Sequence, residues 1–191
     1  MKYRDLYEDE FLEKFGKYKD AVSNLELGNK QEIDVRAIAD ACDIAVKFDN
    51  VEHSGWSVNS QEEGIENKEI MINQLEPEYR QRFTLGHELG HIILGHTGKS
   101  YRTQDMTKYI DTLDRMHEVS ANNFSAELIM PKKLVWKALF KTIEELGYSP
   151  TQNFDEQDIE IIVERLANVL NVSKQALNFR IKNLGVFVDE Q

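Results

Sequence analysis

The sequence predicts an α+β fold, mainly helical, with a small, mostly antiparallel sheet and a helix-turn-helix-like module at its C-terminal end. Three observations carry this expectation. Apolar residues recur at helical spacing near both ends and through the middle of the chain. Three short runs rich in Ile, Val, Met and Phe fall between residues 44 and 73, divided by Asn, Ser and Gly. The last third reads as helix, tight turn, helix.

With 191 residues the chain suits one substantial domain and a small appendage. The division is drawn after residue 147: residues 1–147 form the main domain with its N-terminal helices, and 148–191 a helix-turn-helix-like helical region. A hydrophobic content of 41% excludes a disordered chain. The net charge of -11, from 34 acidic and 23 basic residues, argues against a surface built wholly for nucleic acid or lipid. One cysteine, Cys42, excludes an internal disulfide, and its apolar neighbours Ile38, Ala39 and Ile44 mark a core thiol. The first ten residues lack the apolar run of a signal peptide, and no stretch reaches the ~18 apolar residues of a membrane span. A cytoplasmic protein with no membrane partner is expected.

Taken in order, Arg4 to Leu25 carries Leu6, Tyr7, Phe11, Leu12, Phe15 and Val22 at spacings that suit an amphipathic helix broken near Gly16. A turn follows at Leu27 to Lys30. Ile33, Val35, Ile38, Ala39 and Cys42 suggest a second helix that packs the first onto the domain. The expected strands are Ile44–Phe48, Gly55–Asn59 and Lys68–Asn73, with Asn50, Ser54, Gly64 and Asn67 among the turn residues between them. The third reads as an edge strand able to receive an extended peptide. Pro77 opens the next helix, with Glu78 in its first turn and Gly95 or Gly98 near its end. Thr97 to Asp114 has weak periodicity and reads as a loop or lid, from which Tyr101 and Tyr109 could reach a site. Met116 to Ile129 is a largely buried helix carrying Val119, Ala121, Phe124, Ala126, Leu128 and Ile129. Pro131 starts another, which Gly147 ends. A loop from Tyr148 to Phe154 precedes a helix ending at Leu170. Ser173 caps the last helix, which Gly185 closes.

The chemistry sits in Phe83 to His96. His87, Glu88 and His91 form H-E-x-x-H. On a helix, residues four apart share a face, so His87 and His91 can hold one metal ion. Glu88 stands one position round, where a general base for water at that ion belongs. Apolar Phe83, Leu85, Leu89, Ile92 and Ile93 bury the trio, and buried histidines and carboxylates need partners. A catalytic zinc takes three protein ligands and keeps one position open. A metzincin spacing would put the third histidine at 97, where Thr97 stands, so His96 reads as a helix-end residue.

The third ligand is assigned to Glu118 on the Met116–Ile129 helix, with His117, Glu127 and Asp114 as competitors. Asn122 shares the face of Glu118 and could hold a carboxylate or a ligand histidine in place. Small residues Ser120, Ala121, Ser125 and Ala126 would let this helix approach the first closely. Two His and one Glu suit Zn²⁺, with Mn²⁺, Fe²⁺ or Co²⁺ also able to occupy such a site.

The pairing of His-Glu-Leu-Gly-His with Glu118-x-x-Ala121-Asn122-x-Phe124-x-Ala126-x-Leu128-Ile129-Met130-Pro131 resembles the ImmA/IrrE family of metallopeptidases. Arg82 to Leu85 resembles the lead-in to that family's metal helix, and Leu166 to Gly185 its tail. The likeness spans roughly residues 33 to 185. It implies a zincin-like metallopeptidase core of gluzincin type, with Zn²⁺ held by His87, His91 and Glu118 and with Glu88 catalytic. It also implies a protein substrate, commonly a helix-turn-helix repressor encoded nearby, in mobile elements or stress responses. The competing expectations are a metal-stabilised binding protein that sequesters a transcription factor, and a DNA-binding regulator acting through residues 158 to 185. Lys174, Arg180 and Lys182 make only a small basic patch, so direct DNA binding is not expected.

Overall fold

The computed structural model describes residues 1–62, 65–96, 98–101, 112–149 and 151–186. Its helices are α1 (Asp9–Glu13), α2 (Lys19–Asn24), α3 (Val35–Ala41), α4 (Glu78–Ile93), α5 (Thr112–Ile129), α6 (Lys132–Glu145), α7 (Glu156–Leu170) and α8 (Lys174–Leu184). Its strands are β1 (Ala45–Asp49), β2 (Gly55–Glu62), β3 (Ile65–Asn73) and β4 (Gly98–Tyr101). The fold is α+β and mainly helical, as the sequence led one to expect.

The four strands lie in the order β1-β3-β2-β4. β1 runs parallel to β3, and β2 is antiparallel to both β3 and β4. The sheet is therefore mixed, with two of its three pairings antiparallel. Two expectations change. β3 is interior, so it has no free edge for a peptide; the fourth strand, drawn from the stretch read as a loop, lies at one edge. Asn67 also falls inside β3, opposite Ser60, rather than in a turn. Of the supposed lid, residues 98–101 form β4 and Thr112 already belongs to α5. Tyr109 lies outside the described residues, as does the side chain of Tyr101.

Ile70 and Ile72 of β3 are fully buried and set one face of the sheet against the helices. Cross-strand partners share a face. Ser57 pairs with Ile70 and Gly55 with Ile72, so both point the same way and both are buried. The neighbouring Trp56 and Val58 are less buried. Small residues are required there because α4 lies directly on them. A Cβ at Gly55 would stand 2.7 Å from the Thr84 methyl and 2.7 Å from the Met71 carbonyl oxygen.

The N-terminal segment breaks more than expected. Tyr3–Asp5 and Gly16–Tyr18 are 3-10 turns flanking α1, and Gly16 has φ +52, where a side chain would be strained. The segment docks through its own aromatic row as well as against α3, whose capping residue Asp34 donates its amide to the Tyr3 hydroxyl at 2.9 Å. Tyr7 stacks on Phe11 at 5.0 Å, and Phe11 meets Phe124 of α5 at 5.1 Å. The Tyr7 hydroxyl donates to the Leu128 carbonyl at 2.6 Å. Burial raises the Tyr7 hydroxyl well above its ordinary range. Cys42 is fully buried, and burial pushes its thiol up to about 12. Val119, expected inside, is 47% exposed because it falls one residue past the buried face of α5 at Glu118.

Pro77 precedes α4 and Gly95 follows it with φ +72. Arg82 on α4 donates to the carbonyls of Leu170, Asn171 and Ile33 and pairs with Glu32 at 3.2 Å. It joins α4 to the end of α7 and to the lead-in of α3. The hydroxyl of Ser173 caps α8 through the Ala176 amide, and Gly185 closes it in the left-handed region, as read from the sequence.

Replacing Tyr7→Phe should cost about 1–3 kcal/mol, because the buried Leu128 carbonyl loses its donor; urea unfolding measures this. Gly55→Ala should cost about 1–3 kcal/mol as the sheet and α4 are forced apart, read as a lower midpoint in the same experiment.

Candidate metal centre

Helices α4 and α5 cross in opposite directions at very short range. Two glycines of α4 make this possible. A Cβ on Gly86 would stand 2.6 Å from the Ser125 hydroxyl, and one on Gly90 would stand 3.3 Å from the Ala121 backbone and 3.0 Å from the Phe124 ring. Ser125 donates to the Phe83 carbonyl at 2.8 Å and ties the pair together. Of the small residues expected to allow close approach on α5, Ala121 and Ser125 lie against these two glycines.

Because the helices are antiparallel, each step of one turn along α4 matches a step back along α5. His87 meets Asn122, and His91 meets Glu118. His87 Nε2 and His91 Nε2 lie 3.1 Å apart, and each is 3.2 Å from an oxygen of Glu118. All three residues are buried, and together they could hold a metal ion. Ligand atoms set tetrahedrally about zinc, at about 2.0–2.1 Å from it, lie about 3.3 Å from one another. The separations here are of that size, and the donor set suits a divalent metal.

The groups behind the triangle prepare it. Asn122 Oδ1 lies 3.0 Å from His87 Nδ1. An amide oxygen only accepts, so His87 carries its hydrogen at Nδ1 and turns the Nε2 lone pair inward. Burial works to raise the Glu118 carboxyl, but the adjoining His87 and His91 hold it down, at about 2. Glu118 is thus a carboxylate at neutral pH, the form a ligand must take. His91 Nδ1 lies 3.1 Å from His96 Nδ1.

Glu88 is fully buried, next in the chain to His87 and turned toward the sheet. Ser57 of β2 donates to its Oε2 at 2.7 Å. Thr84 and Glu88, four apart, form the row of α4 that rests on Gly55 and Ser57.

Of the competitors for the third position, Glu127 is paired with Lys14 at 3.6 Å and Asp114 is exposed. His117 stacks on His96 with ring centres 4.0 Å apart. His96 follows α4, as expected, yet touches His91. Ser57 and the His96 contact escaped sequence reasoning. Ser57 lies on a strand whose apolar residues, Trp56 and Val58, alternate with it, so nothing in the sequence marks Ser57 as the inward one. His96 carried one unused signal: it lies five residues after His91, close enough for the turn after a helix to fold it back.

A buried His–His–Glu cluster set between a small mixed sheet and an antiparallel helix pair has the make-up of a metal-dependent hydrolase. The family model for Peptidase_M78, the IrrE N-terminal-like domain, matches residues 39–182. The chain belongs to this family of metallopeptidases, as the likeness to the ImmA/IrrE proteins implied. No curated protein matches the chain.

Elemental mass spectrometry of the purified protein should find about one divalent metal per chain, as one three-ligand site predicts. His91→Ala and Glu118→Ala should each lose it, with zinc added back in excess as the check.

Proposed function

We propose that this chain is a zinc-dependent metallopeptidase of gluzincin type that cleaves a helix-turn-helix transcriptional repressor at a specific site. The observation that supports it best is the triangle of His87, His91 and Glu118 beside a buried Glu88. In this reading His87 and His91 give their Nε2 atoms to the metal, and Glu118 gives its carboxylate. When bound, zinc supplies a Lewis acid that activates water and polarises a carbonyl.

The remaining work belongs to the chain. Glu88 takes a proton from the attacking water on its carboxylate and returns it to the leaving nitrogen of the peptide. The Ser57 hydroxyl holds one oxygen of that carboxylate and fixes its direction. Asn122 fixes the His87 ring. The outer edge of β4 carries no further strand among the described residues, and an extended peptide could add there. β4 lies beside β2, the strand that carries Ser57.

The repressor substrate and a mobile-element or stress setting rest on the family likeness. A cytoplasmic place follows from such a substrate, and no helix among the described residues is long and apolar enough to cross a membrane. On this reading residues 1–147 carry the catalysis and 148–191 form a helical region that packs against it. Two observations weigh against DNA binding by α8. Lys174 is paired with Glu160 at 2.6 Å, and Arg180 donates to the Met130 carbonyl at 3.0 Å.

Glu88→Gln should keep the metal and the Ser57 hydrogen bond, yet lose cleavage by about 100-fold or more, the scale of general-base catalysis. Incubation with candidate repressors, read by mass spectrometry of the fragments, makes the comparison. Undiminished turnover would sink the assignment of Glu88. Repressor inactivation that is complete in Glu88→Gln, with no fragments, would instead show sequestration.

A further inference from the structure

A second group of imidazoles stands behind the proposed metal triangle, and the Ser120 hydroxyl sets the direction of its hydrogen bonds. The Ser120 hydroxyl donates to the His117 carbonyl at 2.8 Å. The same oxygen lies 3.2 Å from His96 Nε2. Having given its hydrogen away, Ser120 meets His96 as an acceptor, so Nε2 of His96 carries the ring hydrogen. Neutral His96 then presents a bare lone pair at Nδ1. That lone pair faces His91 Nδ1 at 3.1 Å. His91 must donate there, which leaves its Nε2 lone pair turned toward Glu118 and His87.

We infer that His96, seated by Ser120, is a positioning residue that holds His91 in the tautomer and ring orientation required to bind a metal. The inference rests on the metal-site reading above. His117 lies flat against His96, with the rings inclined by 16°, and limits its rotation. The arrangement mirrors the one behind His87, where Asn122 accepts from Nδ1. Each histidine of the H-E-x-x-H helix thus has an acceptor at its back, one supplied by α5 and one by the turn that ends α4. Such outer partners change metal affinity by about 10–100-fold when removed.

The test is zinc affinity by competition with a chromogenic chelator, alongside proton NMR of the zinc-loaded protein. A hydrogen-bonded ring N–H of His91 gives a protected downfield resonance. His96→Phe keeps an aromatic ring but no acceptor. It should weaken zinc binding about 10–100-fold and lose that resonance. His96→Asn places an amide oxygen at the same distance from the backbone as Nδ1 and should restore most of both. His96→Gln reaches instead to the position of Nε2 and should not. Wild-type affinity and an intact resonance in His96→Phe would overturn the inference. Where His96→Phe does not fold, judged by melting of the metal-free protein, the Asn and Gln pair decides, and equal loss in both overturns it. A wild type that takes up no zinc would overturn the metal-site reading itself, which His91→Ala and Glu118→Ala test separately.

Discussion

The structure depends on how closely α4 and α5 approach. Two helices that meet through ordinary side chains stand about 8–10 Å apart. Here Gly86 and Gly90 face Ser125 and Ala121, so backbone lies nearly against side-chain roots. At this range a glutamate on one helix reaches two histidines on the other. The antiparallel direction then sorts the partners without further instruction: His87 with Asn122, His91 with Glu118. The sheet applies the same rule on the opposite flank, where Gly55 and Ser57 leave room for Thr84 and Glu88.

Packing of this kind has an electrostatic cost. Thr84, His87, Glu88, His91, Glu118 and Ser125 are all buried within two or three turns of one another. Buried polar groups are tolerable only when paired. Ser125 is bonded to the Phe83 carbonyl, Glu88 to Ser57, and His87 to Asn122. Helix α4 therefore presents three differently serviced faces, one to the sheet, one to α5 and one to the ligand triangle. A helix with polar groups on so many sides would be unstable alone and is stable here because each face has its own receiver.

Much of this was legible in the sequence because spacing along a helix is a geometric statement. A spacing of four from His87 to His91 places two imidazoles on one face, and the small residues around Ala121 announce a close neighbour. Helix ends at Pro77, Ser173 and Gly185 were legible because each end has a specific chemistry. The sheet was less so. Trp56 and Val58 look like the inward residues of β2, but the short distance to α4 admits only Gly55 and Ser57. The edge was misplaced because β1 adds in parallel on the far side of β3, a crossover pairing that no local turn residue announces. The N-terminal segment deceived by periodicity: its aromatic row is real, but it winds through 3-10 turns at Gly16 and before α1.

Arg82 has a consequence for how the chain is made. Its guanidinium takes carbonyls from Ile33 and from Leu170 and Asn171, partners 49, 88 and 89 residues away along the chain. A lysine could not fill this place, since its three donors lack the planar fork. During synthesis α4 leaves the ribosome well before α7, so for an interval its arginine has no carbonyls from the C-terminal side. The helix that bears both histidines gains this last tie only once residues near 171 have arrived. Completion of this tie is thereby timed by translation: the fragment that contains His87, His91 and Glu118 is made before the one that clasps α4 to the end of α7.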